Sequence, residues 1–131
     1  MNEDEIKEML SRVKTIAVVG ISPKEDRPSH MVASYLKSKG YRILPVRPDG
    51  HMILGEKVYP SLLEIPEEIE VDVVDIFRKS EEVLPIVEEA IQRGAKVVWM
   101  QEGVISPEAG IKAEKAGLKV VMDRCINLNH A

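Results

Sequence analysis

The sequence predicts a doubly wound α/β domain with five parallel strands in one sheet, and three observations carry that reading. A polar-faced helical stretch that ends in glycine and runs at once into an apolar segment recurs three times. The junctions are Leu36-Lys37-Ser38-Lys39-Gly40 before Tyr41 to Val46, Ile91-Gln92-Arg93-Gly94 before Lys96 to Met100, and Glu114-Lys115-Ala116-Gly117 before Lys119 to Met122. Glycine just past a helix adopts the left-handed conformation that closes off the last carbonyls, and the chain turns back into a strand. Helix then strand, repeated, is the pattern of a parallel sheet with crossover helices. Second, the apolar runs are near-continuous Val, Ile and Leu, as in strands buried on both faces. Third, aromatic residues are only 4% of the chain, so its core must be aliphatic.

Taken in order, the elements begin with a leading helix from about Asp4 to Val13, within residues 1–14 and packed outside the sheet. Strands are expected at Thr15 to Val19, Arg42 to Val46, Val71 to Ile76, Lys96 to Met100 and Lys119 to Met122. Ser29 precedes a helix with Val32, Tyr35 and Leu36 on one face. Ser80, Glu81 and Glu82 open another, whose stripe is Val83, Ile86, Val87, Ala90 and Ile91. Ser106-Pro107-Glu108 combines a cap, a first-turn proline and an acid near the positive helix end. Residues Arg47 to Glu70 are broken by Pro48, Gly50, Gly55, Pro60 and Pro66, with at most a helical turn at Ser61 to Glu64. A connection this long in a compact domain is often functional. Right-handed crossovers then give a Rossmann-like sheet with the expected order 3-2-1-4-5. The 131 residues read as one domain, with no linker or low-complexity segment.

Composition excludes several classes of function. The net charge of −4 argues against a nucleic-acid partner, which needs a basic surface. The single cysteine, Cys125, rules out an internal disulfide framework and a cysteine zinc site. His30, His51 and His130 show no i, i+4 pair, so no metal centre is expected, and His30 is expected at the surface. The acidic first ten residues are no signal peptide, and no run approaches the roughly 20 apolar residues of a membrane span. The expectation is a cytoplasmic protein with no membrane partner. Trp99 reads as core, and Glu81, Glu82, Glu88 and Glu89 as the solvated face of a helix.

In such sheets ligands bind at the carboxyl ends of the strands, where the order reverses. After strand one comes Gly20-Ile21-Ser22-Pro23-Lys24-Glu25-Asp26-Arg27-Pro28-Ser29, which reads as an anion site. Gly20 lets the backbone approach a phosphate, and Ser22 and Ser29 offer hydroxyls. The helix starting near Ser29 aims free N–H groups at the site, while Lys24 and Arg27 add charge. An ordinary solvated turn with a Ser cap is the structural alternative. The loop lacks the second and third glycines of the dinucleotide fingerprint, and Val46-Arg47-Pro48 stands where that motif wants an acid. Arg47 could instead face a ribose phosphate, which coenzyme A carries at its 3′ position and NADP at its 2′ position. A solvent-exposed arginine before a turn proline is the plain alternative.

The blocks Val18-Val19-Gly20-Ile21-Ser22, Arg27-Pro28-Ser29, Pro45-Val46-Arg47-Pro48, Tyr59-Pro60-Ser61-Leu62, Val74-Asp75-Ile76-Phe77-Arg78, Val98-Trp99-Met100-Gln101 and Asp123-Arg124-Cys125 occur in an order that resembles the small stand-alone CoA-binding domain proteins of bacteria and archaea. These are similar in fold to the CoA-binding domain of the succinyl-CoA synthetase α subunit. The resemblance covers about residues 10 to 130 and implies coenzyme A, free or acylated, as the ligand. It assigns Gly20, Ser22, Lys24, Arg27 and Ser29 to the phosphate side, and Val46, Arg47 and Pro48 to the adenosine side. Position 47 is often Asn in that family. Ile76, Phe77 and Arg78 correspond to the strand-three wall, and Gln101 with Gly103 to the strand-four end. No counterpart of the synthetase's phosphohistidine domain is expected, which counts against ligase activity.

Cys125 falls just past strand five on the ligand side, next to Arg124, a cation that favours a thiolate. It is read either as a buried, inert thiol or as a candidate redox cysteine able to form a mixed disulfide with CoA. The function expected is a CoA-binding carrier, sensor or redox-linked module without catalysis of its own. The alternatives are an NADP-linked or acyl-CoA-processing enzyme using the same cleft, and the CoA-binding subunit of a larger ligase.

Overall fold

The computed structural model describes residues 1–129; His130 lies outside them. Five parallel strands form one sheet: β1 (Thr15–Val19), β2 (Arg42–Val46), β5 (Val73–Ile76), β6 (Val97–Met100) and β7 (Lys119–Val121). The helices are α1 (Glu3–Arg12), α2 (Pro28–Ser38), α3 (Val83–Arg93) and α4 (Pro107–Lys115). The doubly wound α/β class is as the sequence predicts.

The strand order is a correction. It runs β2-β1-β5-β6-β7, which is 2-1-3-4-5 over the five predicted strands rather than 3-2-1-4-5. Strand two is therefore an edge, and β1 pairs on one side with β2 (Val19 opposite Val46) and on the other with β5 (Val19 opposite Ile76). Pro45 supplies the reason. Residues two apart in a strand point their N–H groups the same way, and Arg47 donates its N–H outward to the Tyr59 carbonyl at 3.0 Å. The missing N–H of Pro45 lies on that outer flank, where a third strand would lack a donor; proline belongs on an edge. Tyr59 covers the flank, donating its own N–H to the Pro45 carbonyl at 3.0 Å.

The long connection holds more structure than expected. A two-stranded hairpin, β3 (Met52–Ile53) with β4 (Glu56–Lys57), precedes a 3-10 turn at Leu62–Glu64. Strand three starts at Val73 instead of Val71, because Asp72 turns its carboxylate onto the N–H groups of Lys14 and Thr15 at 2.8 and 3.1 Å.

Side-chain alternation divides the core into two layers. Ile16, Val18, Val73 and Trp99 face α1 and α2, meeting Ile6, Leu10, Val32 and Leu36. Ala17, Val19, Val74, Ile76 and Val98 face α3, meeting Val83, Val87 and Ala90. Helices on both faces, with the first crossover on one and the later crossovers on the other, put the reversal of order between β1 and β5. Ligands of open α/β sheets bind outside the carboxyl ends at that point.

Candidate functional site

Two clefts open at those carboxyl ends and meet over Gly20. The larger, about 890 Å³, lies on the α2 side and is lined by Pro28, Val32, Phe77, Gln101, Val104 and Cys125 among others. The smaller, about 430 Å³, lies on the α3 side between Val46, Arg47, Pro48, Pro60 and Ile86. Gly20, Arg78 and Glu82 line both.

The loop between them is pinned by its own side chains. Ser22 donates its N–H to the Ser29 hydroxyl at 2.9 Å, and the Ser22 hydroxyl accepts the N–H of Lys24 at 3.1 Å. His30 Nδ1 donates to the Ser22 carbonyl at 2.9 Å. His30 is thus buried, not at the surface as expected, because it holds the loop against the first turn of α2. Ser29 sits one residue inside the helix; the N-cap is Arg27, with Pro28 following.

That helix start is electrostatically bare. Arg27 makes no side-chain cap bond, and no acid lies in the first turn of α2. By contrast α1 opens with an Asn2–Glu5 capping box and three acids, and α4 with the Ser106 hydroxyl and Glu108. Unpaired N–H groups at a helix start carry partial positive charge and favour an anion.

Both arginines of the smaller cleft are engaged. Arg47 donates Nη1–H to the Ile21 carbonyl at 3.1 Å and pairs with Asp49 at 2.8 Å, bracing the β1 loop from the end of β2. Arg78 pairs with Glu82, four residues on. The hydrogen bond from Arg78 holds the Glu82 carboxyl below the usual carboxylate range, with help from the charges of Arg78 and Lys79.

On the larger cleft, Gln101 is buried, and its side-chain oxygen accepts the Ile126 N–H at 3.2 Å, holding the final 3-10 turn in place. Gly103 donates its N–H to Asp123 at 2.7 Å and lines neither cleft. Cys125 is half-buried and reaches the cleft wall. Arg124 turns away to pair with Glu3, while its carbonyl accepts the Trp99 indole N–H at 2.7 Å.

Of the residues expected at the site, Gly20, Phe77, Arg78, Gln101 and Cys125 line the larger cleft, and Val46, Arg47 and Pro48 the smaller. Ser22, Lys24, Arg27 and Ser29 form the loop and helix start. Ile76 is fully buried with its side chain in the α3-side core. Sequence reasoning missed Glu82 and Glu89, read as a solvated face; Glu89 accepts the Leu62 N–H at 3.2 Å. It also left Pro60 unassigned, although its block lies in the connection marked as functional by length.

Beneath Phe77, and on the same face of β5, lies Asp75. It is fully buried between Val18 and Trp99, and neither carboxylate oxygen has a hydrogen-bond partner. Burial pushes its carboxyl well above the usual range.

The start of α2 reaches the larger cleft through Pro28, at the switch point of a doubly wound sheet, where open α/β folds take their ligands. The chain belongs to the CoA-binding domain family, whose profile matches residues 14–131. It is 44% identical to the uncharacterized protein YneT of Bacillus subtilis over 97% of this chain and 93% of that one. A hypothetical protein from Pyrococcus horikoshii superposes with a TM-score of 0.93 at 43% identity, covering 98% of this chain and 89% of that one. The ADP-forming acetate–CoA ligase II of Archaeoglobus fulgidus is 29% identical over 88% of this chain, which spans only 17% of the ligase.

Proposed function

We propose that the chain binds coenzyme A across the two clefts and acts as a carrier, sensor or redox-linked CoA-binding module without catalysis of its own. The observation that carries this reading is the uncapped, acid-free start of α2, whose Pro28 lines the larger cleft together with Gly20, a residue common to both clefts. A diphosphate there would accept the free N–H groups of the helix and the charge of Arg27. The flat apolar walls of Val46, Pro48, Pro60 and Ile86 suit an adenine ring, and Arg47 stands near enough for a ribose phosphate. The pantetheine arm would follow the larger cleft past Phe77 and Val104 and bring its thiol toward Cys125.

A second reading, as the CoA-binding part of a larger ligase, is favoured by the likeness to the Archaeoglobus enzyme. Native mass spectrometry of the purified protein, followed by calorimetry with CoA, acetyl-CoA and NAD, tests the first. Retention of CoA or an acyl-CoA, with NAD binding poorly, supports it; no binding of either thioester or thiol form overturns it.

A further inference from the structure

Arg78 and Glu82 occupy the one place on both cleft walls where a long ligand has to pass. Their ion pair spans the rim above Gly20, with side chains 36% and 37% exposed, so the pair is open to solvent rather than locked in the core. The Arg78 Cδ lies so close over Gly20 that a Cβ there would sit 2.8 Å from it. Glu81 and Glu89 also line the smaller cleft, so Glu82 is a third carboxylate there beside the guanidinium groups of Arg47 and Arg78. Exposed pairs of this kind are individually weak, and a better-placed anion displaces the carboxylate.

We propose that Glu82 is an internal competitor for Arg78: an anionic ligand arriving over Gly20 takes the guanidinium from Glu82, and the two clefts then become one channel. This rests on the reading of the clefts as a CoA site. The exchange sets the affinity for phosphate-bearing ligands. It also favours a diphosphate, which brings more negative charge to the guanidinium, over a single carboxylate that would only replace Glu82 with its like.

Calorimetry of wild type, Glu82→Gln and Arg78→Met with CoA, ADP and adenosine tests the exchange. Removing the competitor should tighten CoA and ADP by about two- to fivefold, the factor that corresponds to an exposed ion pair. Adenosine, which has no phosphate, should be unchanged. Arg78→Met should weaken CoA roughly tenfold to a hundredfold, as expected for a lost charge-assisted bond. Glu82→Gln in the Arg78→Met background should then have no further effect. Unchanged or weaker CoA binding by Glu82→Gln overturns the exchange while leaving the CoA reading intact. Absence of CoA binding by the wild type overturns the reading itself. A thermal melt of each variant confirms that the fold is kept.

Discussion

A side chain on Gly20 would stand 2.3 Å from the carbonyl oxygen of Phe77, across the junction of β1 and β5. The glycine is therefore demanded by the chain itself. Its φ of +88° already favours glycine, and the crowding adds to that. Gly20→Ala should destabilise by more than the ~1–3 kcal/mol that left-handed backbone costs a non-glycine residue. Gly94, at φ +79° with open space around it, isolates the conformational part. Urea midpoints of Gly20→Ala and Gly94→Ala should differ clearly; equal losses would remove the close approach as a cause.

Asp75 makes stability depend on pH in a direction that can be worked out. Its folded carboxyl titrates well above the unfolded value of about 3.9. The folded state then holds the proton more tightly, so the contribution is greatest below pH ~4 and is lost as pH rises through the raised folded value. Asp75→Asn cannot ionise. The difference in unfolding free energy, variant minus wild type, should grow with rising pH and exceed the roughly 0.5 kcal/mol of an ordinary surface change at neutral pH. A pH-independent difference between the two would mean that Asp75 does not carry this linkage.

Arg47 braces the Ile21 carbonyl and faces the smaller cleft, so its removal should have two readable effects. CoA should bind roughly tenfold to a hundredfold more weakly to Arg47→Ala, and the preference of the wild type for CoA over dephospho-CoA should shrink. Equal affinities of wild type for the two ligands would reduce Arg47 to a brace.

Cys125 is tested with CoA disulfide. The protein thiolate attacks one sulfur, a protein–CoA disulfide forms, and one CoA leaves as its thiolate. Mass spectrometry should show one added CoA, removed by dithiothreitol and missing in Cys125→Ser. Dephospho-CoA disulfide should react more slowly if docking precedes attack. Failure of both CoA disulfide and a small generic disulfide reagent would make the thiol inert.

The α/β class was legible because each helix–glycine–strand junction is local: Gly94 closes α3 whatever lies elsewhere. Strand order was not, since it depends on which strand pairs β1 across long stretches of chain; Pro45 held the clue in its missing donor. The β1 loop could be picked out as a candidate, but not how it is held. His30 and Ser29 look like surface and cap residues until folding brings the Ser22 backbone to them. The Arg78–Glu82 pair stayed hidden for a similar reason. A spacing of four residues usually marks a helical surface pair, and here it falls across a strand end and a 3-10 turn at a cleft mouth.

The two clefts belong to different layers of the molecule: Val32 of α2 walls one and Ile86 of α3 the other, with the sheet between them. On the proposed CoA reading, a nucleotide end and a thiol end housed this way each have a helix face of their own. Changes at Val32 or Ile86 touch one cleft and not the other, whereas Gly20, Arg78 and Glu82 line both and couple them. On the proposed CoA reading, the two helix faces are where acyl-group preference and nucleotide recognition can drift one at a time.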